Sequence, residues 1–124
     1  MKKYFYPALL ILTILFTSCQ ESPEDVVIKF YRSVEAGNIS AAKECLSERL
    51  LALAGEKLTV GLSKQTEEMT SCGGIKNIQV DLEGTGESRK GKATVSYSGD
   101  CPDETEDKLT LVKEEGKWKI GLRK

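Results

Sequence analysis

An amphipathic helix near the start of the chain limits the fold more than any other segment does. Ser22 and Pro23 are typical of a helix start, the acidic pair after them favours the positive end of the helix dipole, and Gly37 is typical of a helix stop. Five apolar side chains of this helix fall on one side, namely Val26, Val27, Phe30, Tyr31 and Val34. A stripe of this width must be covered, so the rest of the chain has to supply a second apolar surface.

The second half of the chain supplies that surface as β-strands. From Ile75 onward, apolar residues alternate with polar residues, which is typical of half-buried strands. Matching the apolar faces of the first two strands predicts that Ile78 pairs with Tyr97, Val80 with Val95 and Leu82 with Ala93. A second hairpin, turning at Glu115-Gly116, predicts that Leu109 pairs with Leu122, Leu111 with Ile120 and Lys113 with Trp118.

Further helices are predicted between the first helix and the strands. Ser40 and Ser47 are candidate caps of short helices. Apolar residues then repeat at helical spacing, but Gly55 and Gly61 predict that the segment divides into two helical pieces that end near Ser71. Helices followed by strands indicate a single α+β domain, in which the N-terminal helices pack on an antiparallel sheet.

Composition and charge argue against several classes of partner. The chain has 18 Lys and Arg residues, 19 Asp and Glu residues and no histidine, so its charge indicates no particular partner. A nucleic-acid-binding protein would be expected to carry a basic stripe with interleaved aromatic residues, and this sequence has none. Scattered cysteines without a histidine do not give the ligand spacing of a zinc site. We therefore predict no nucleic-acid partner, no metal and no cofactor.

Residues 1–18 are typical of a bacterial lipoprotein signal peptide. A basic start precedes an apolar run that is too short to cross a bilayer. The segment Phe16-Thr17-Ser18-Cys19 resembles a lipobox, in which the cysteine is lipidated and becomes the mature N-terminus, although Phe16 stands where an aliphatic residue is usual. Cleavage there would leave residues 19–21 as a lipidated tether and residues 22–124 as one domain. A plain secretory signal with an incidental cysteine is the alternative.

The predicted lipid anchor also indicates where the protein is located in the cell. Acylation of Cys19 on its sulfur and its amino group supplies more than the two signals that stable membrane attachment requires. Only Gln20 and Glu21 separate Cys19 from the helix cap, so the tether spans on the order of 10 Å and holds the domain close to the bilayer. Gln20 directly after the cysteine is similar to the pattern of outer-membrane lipoproteins. We therefore expect a lipid-anchored protein of the bacterial cell envelope, in the outer membrane.

The same residues resemble a known superfamily. The opening Ser-Pro-Glu-Asp-Val of the first helix, the run from Phe30 to Ala42 and the closing Gly-Lys-Trp-Lys-Ile at 116–120 are similar to the nuclear transport factor two-like (cystatin-like) superfamily. Within that superfamily, the chain resembles a family of small bacterial lipoproteins of unknown function. The resemblance covers roughly Ser22 to Leu122. It implies a cone-shaped fold, in which a curved sheet wraps around the first helix and, in some relatives, holds a small molecule.

Three cysteines remain if Cys19 is acylated. Three cysteines in an exported protein predict one disulfide and one free thiol. In the predicted register Cys72 and Cys101 are diagonal neighbours, about 7 to 8 Å apart, and Gly73-Gly74 allows the chain to bulge and close that gap. We predict a disulfide between Cys72 and Cys101. A pair that involves Cys45 and the absence of any disulfide are the alternatives.

The sequence contains no recognisable catalytic set. Enzymes of the superfamily that this sequence resembles place Asp, His or Tyr inside the cone. The positions predicted to be interior in this chain include no carboxylate. We therefore name no catalytic residue, and Tyr31, Tyr97 and Trp118 are the candidate pocket. We expect a non-enzymatic, monomeric binding module for a small apolar ligand or a protein partner. The alternatives are an isomerase- or dehydratase-like enzyme on the same fold and an envelope immunity protein.

Overall fold

The computed structural model describes residues 21–99, 101 and 104–121. The helices of this part are α1 Pro23–Glu35, α2 Ile39–Glu44, α3 Glu48–Ala54 and α4 Glu56–Ser71, and its strands are β1 Ile75–Glu83, β2 Ser88–Tyr97, β3 Thr105–Glu114 and β4 Lys117–Gly121. The strands form one antiparallel sheet in the order β1-β2-β3-β4. The predicted α+β fold class is therefore confirmed. The predicted signal peptide, the lipidation site Cys19 and the strand residue Leu122 lie outside the described residues.

Helix α1 has the boundaries and the buried face that its sequence predicts. The Ser22 hydroxyl accepts a hydrogen bond from the Asp25 amide at 3.1 Å, and Pro23 occupies the first turn, where no amide donor is needed. The buried side chains of α1 are Val26, Val27, Tyr31 and Val34. They pack against one face of the sheet, which we call the inner face. The hydrophobic core lies between α1 and this inner face.

The shorter helices follow the prediction except at one cap. The α2 helix is capped by Asn38 and not by Ser40, because the Asn38 side chain accepts the amide three residues further on, at 3.2 Å. Ser47 caps α3 as predicted. Gly55 separates α3 from α4, and α4 ends at Ser71. The predicted division into two helical pieces is therefore correct, with the break at Gly55 alone.

The first hairpin is paired two residues away from the predicted register. The structure pairs Ile78 with Val95, Val80 with Ala93 and Leu82 with Gly91. The predicted pairs were therefore wrong, but a shift by an even number of residues keeps every side chain on its predicted face. The observed register places Gly91 opposite Leu82, where β1 and β2 approach so closely that a Cβ atom would meet the β1 backbone, and residues 84–87 connect the two strands.

The second hairpin has the predicted register. Leu111 pairs with Ile120, and Lys113 pairs with Trp118. Both turn residues between these strands have positive φ, with 51° at Glu115 and 78° at Gly116, which is the conformation of a tight two-residue turn. The β4 edge of the sheet is then met by the loop before α3, where the Ser47 amide donates to the Ile120 carbonyl at 2.8 Å.

A disulfide joins the end of α4 to the loop between β2 and β3. The bonded pair is Cys72 and Cys101, as predicted, and their Cα atoms are 5.3 Å apart. Gly73 and Gly74 have φ values of 84° and 80°, a region that glycine adopts without steric cost. These two residues form the turn between the disulfide and the start of β1. Cys45 is buried and its thiol is free.

Candidate functional site

A cleft of about 750 Å³ opens on the sheet near the start of α1. Its apolar part comes from Val80 and Leu82 of β1 and from Leu109 of β3, which are all half-buried. Gly91 of β2 lies between these strands, because it pairs with Leu82 on one side and with Leu109 on the other. A glycine at this central position leaves no side chain between the apolar residues of the two outer strands. We call this site the Gly91 cleft.

The remaining residues of the Gly91 cleft are polar and of mixed charge. They are Glu24, Asp81, Glu83, Lys90, Lys92, Lys108 and Thr110. Two of the acidic residues lie opposite lysines in the β1–β2 ladder, where Asp81 is the partner of Lys92 and Glu83 is the partner of Lys90. The cleft therefore combines an apolar patch with a rim of balanced charge. Its volume lies in the range of roughly 300 to 1,000 Å³ that is typical of small-molecule sites.

A hydrogen bond between a tyrosine and a carboxylate lies one row along the sheet from the Gly91 cleft. The Tyr31 hydroxyl donates to the Asp107 carboxylate at 2.6 Å. Asp107 pairs with the fully buried Ala93, so it belongs to the inner face, two residues before Leu109. The Tyr31 side chain is only 2% exposed, whereas Asp107 is exposed. A buried phenol is thus satisfied by a carboxylate that solvent can reach.

Asp107 corrects the expectation that the inner face carries no carboxylate. The alternation that places Leu109 and Leu111 on that face extends by two residues to Asp107. The sequence therefore contained the signal. Because only apolar residues were assigned to the interior, the predicted inner face ended at Leu109 and left out Asp107. The burial of Tyr31 supplies the physical reason for an inward acid, because a buried hydroxyl needs a hydrogen-bond partner.

Burial raises the pKa of Tyr31 above its ordinary value near 10, and the hydrogen bond to Asp107 and the charge of that carboxylate raise it further. The unfolded chain therefore loses its phenol proton first as the pH rises. Stability from this group is complete below about pH 10 and falls above it, by up to about 1.4 kcal/mol per pH unit.

We expect Tyr31→Phe to remove this alkaline loss of stability. Urea denaturation between about pH 8 and 11 should show that the free energy of unfolding falls more steeply for the parent protein than for the variant, since only the parent has this phenol to ionise. The same slope in both proteins would contradict the prediction. It would mean that the Tyr31 phenol ionises as easily in the folded state as in the unfolded chain.

The structure separates Trp118 from the two tyrosines of the candidate pocket. Tyr31 belongs to the core, and the Tyr97 side chain is near enough to contribute to the raised pKa of Tyr31. Trp118 lies on the second hairpin and lines a different cavity of about 440 Å³, together with Val26 and Cys45. The Gly91 cleft was not predicted. Its signal was a small residue, Gly91, in the central strand between longer apolar ones.

The described residues contain neither a metal-binding cluster nor a helix suited to cross a membrane. No group of three or more Cys, Asp or Glu residues in residues 21–99, 101 and 104–121 is placed to bind a metal ion. None of the helices in the same part of the chain has both the length and the apolar composition that crossing a membrane requires.

Comparison with known proteins places this geometry in a family. A crystal structure described as a candidate NTF2-like transpeptidase from Campylobacter jejuni superposes with a TM-score of 0.70 and 20% sequence identity, covering 83% of this chain and 100% of that one. This likeness shows that the chain has the nuclear transport factor two-like fold that its sequence motifs resemble. A search of curated proteins gave no significant match. Residues 17–121 match the family model described as a domain of unknown function (DUF4878), and the chain belongs to that family.

Proposed function

We propose that this protein is a lipid-anchored binding module of the bacterial cell envelope, which takes a small molecule with an apolar surface into the Gly91 cleft. The lipobox-like segment that ends at Cys19 supports the anchor. The single observation that supports a small-molecule ligand is the cleft itself, with about 750 Å³ of space beside half-buried Val80, Leu82 and Leu109. Apolar side chains that remain partly open to solvent gain free energy when a ligand covers them.

The balanced rim of the cleft restricts the ligand further. Three acidic and three basic side chains line the cleft, so a ligand with a large net charge of either sign gains little there. A neutral or zwitterionic molecule with an apolar body fits this distribution best. Such a molecule would place its body against the apolar residues and its polar groups at the rim.

Binding of N-phenyl-1-naphthylamine, a neutral apolar fluorescent probe, tests this proposal. Leu109→Lys is expected to weaken probe binding about tenfold, because covering one leucine side chain is worth on the order of 1.5 kcal/mol. Leu53→Lys is the matched control, since Leu53 is a leucine of α3 that is 68% exposed and does not line the cleft. Circular dichroism melting of each variant checks that it is folded.

The opposite pattern would overturn the proposal. If Leu53→Lys removes probe binding while folded Leu109→Lys retains it, the probe binds the exposed helical surface and the cleft has no affinity for apolar molecules. Leu82→Lys gives a second test from the other side of the cleft, with the same expected loss. Agreement between two variants on different strands excludes a local distortion of β3 as the cause.

The enzymatic alternative draws on a different observation, the hydrogen bond between Tyr31 and Asp107. Isomerase- or dehydratase-like chemistry needs a group that exchanges a proton near the working pH, and the raised pKa of Tyr31 moves the phenol away from that range. Asp107 remains as a solvent-accessible acid beside the cleft. A ligand recovered from the cleft would separate the two functions: a binding module releases it unchanged, whereas an enzyme converts it and loses only the conversion in Asp107→Asn.

A further inference from the structure

The start of α1 and the β3–β4 hairpin lie at the same end of the molecule. Glu21, where the described residues begin, lines the 440 Å³ cavity together with Gly116, Lys117 and Trp118 of the hairpin. Glu21 also forms an ion pair with Lys29 at 3.6 Å, which keeps its side chain beside α1. The point at which the chain enters the domain is therefore next to the hairpin turn.

Basic side chains surround the indole of that hairpin. The Arg89 guanidinium is 4.9 Å from the centre of the Trp118 ring, and the Lys113 ammonium is 5.6 Å from it. Lys113 and Lys117 are exposed, and Trp118 is half-buried. Tryptophan with nearby lysine and arginine is the combination enriched where proteins meet the membrane–water interface, because the ring is amphipathic and the long basic side chains reach the phosphates.

We propose that this hairpin surface, formed by Arg89, Lys113, Lys117, Trp118 and Lys119, is the face that docks on the phospholipid headgroups. The inference rests on the anchor at Cys19 in the proposed function. Only Gln20 and Glu21 separate that cysteine from the cap of α1, so the tether is on the order of 10 Å long. A tether this short brings to the bilayer whatever surface surrounds the entry point, and that surface includes the hairpin.

The charges around the hairpin fit a headgroup layer better than a purely anionic partner. Glu44 and Glu115 line the same cavity as Lys117 and Lys119. Alternating acidic and basic side chains complement a zwitterionic headgroup, in which phosphate faces lysine and ammonium faces glutamate. The contact therefore combines ion pairing at the headgroups with partial burial of the indole.

The far end of α1 lies at the disulfide end of the domain. Helix α1 has 13 residues, which corresponds to about 20 Å at 1.5 Å per residue. At that end the Glu35 carboxylate accepts the Ile75 amide at 2.6 Å, near the turn that follows Cys72. The disulfide end of the domain is therefore about one helix length from the point at which the chain enters the domain.

Fluorescence of the single tryptophan tests the docking surface directly, because Trp118 is the only tryptophan in the chain. The full chain is expressed with its leader, and the mature protein is reconstituted into vesicles of phosphatidylethanolamine and phosphatidylglycerol that contain lipids with a nitroxide quencher at the headgroup. We expect Trp118 emission to be quenched relative to vesicles without nitroxide. The variant Lys113→Glu/Lys117→Glu should lose this quenching, and Lys76→Glu on β1 should keep it.

The possible outcomes separate the docking surface from the anchor. Unquenched Trp118 emission in a protein whose acyl groups are verified by mass spectrometry would overturn the docking surface and leave the anchor standing. A mature protein without acyl groups would overturn both. Quenching that Lys76→Glu removes as completely as the hairpin variant does would also overturn the assignment, because the contact would then depend on overall charge.

Discussion

Replacement of Gly91 by alanine is expected to destabilise the protein by about 3 kcal/mol, at the upper end of the cost of overpacking. A Cβ atom at this position would lie 2.8 Å from both the Asp81 carbonyl carbon and the Leu82 Cα, and closer still to the Asp81 carbonyl oxygen. These are backbone atoms of β1, so no side chain can rotate away to make room. The two strands would have to separate at the pairing that shapes the Gly91 cleft.

Urea denaturation checks this expectation, with Gly61→Ala as the matched control. A Cβ at Gly61 meets nothing within 4 Å, and the residue lies inside α4. Alanine there should stabilise the protein by about 0.5 to 1 kcal/mol, because it is the better helix former. The same substitution should thus have opposite signs at the two glycines. A Gly91→Ala variant as stable as the parent would show that β1 and β2 do not approach as closely as the structure has them.

The parts of the fold that could be predicted are those with local signals. Helix α1 is specified by Ser22, by Pro23 and by its own apolar stripe, all within 13 consecutive residues and their cap. The second hairpin is specified by Glu115-Gly116, because a two-residue turn permits one register. In both cases the residues that decide the structure are neighbours in the sequence.

The first hairpin could not be predicted to the same level because its turn is longer. A connection over residues 84–87 permits registers that differ by two, and each of them keeps apolar residues on the inner face. The close approach of Gly91 to Asp81 and Leu82 selects one register, but this approach is a property of two strands and not of either sequence alone. The cleft was missed for the same reason, since it depends on the row that Gly91 occupies.

The candidate pocket shows a related limit. Periodicity correctly placed Tyr97 and Trp118 on a common face, but it gives no distance along the sheet. The rows of pairs run from Tyr97 opposite Ile75 at one end to Trp118 opposite Lys113 at the other. The prediction therefore grouped Tyr97 and Trp118, which lie on the same face but at opposite ends of the sheet.

Removal of the disulfide between Cys72 and Cys101 is expected to cost about 3 to 4 kcal/mol of stability, which follows from the chain-entropy model for a loop of this length. The two cysteines are 29 residues apart, and that loop contains the whole β1–β2 hairpin. Without the bond the unfolded chain gains the freedom that the loop restricts. Since small domains have roughly 5 to 15 kcal/mol in total, the loss is a large share of the stability.

The double variant Cys72→Ser/Cys101→Ser measures this cost by urea denaturation, and reductant supplies the control. Dithiothreitol should lower the midpoint of the parent protein to about that of the variant and leave the variant unchanged, because Cys45 is the free thiol among the described cysteines. Both side chains are half-buried, so serine can replace them without burying an unpaired hydroxyl. The prediction would be contradicted if the urea midpoint of the parent protein did not change in a sample shown to be reduced. Backbone contacts, such as the 2.8 Å hydrogen bond from the Gly99 amide to the Cys72 carbonyl, would then be sufficient to stabilise this end of the sheet without the disulfide.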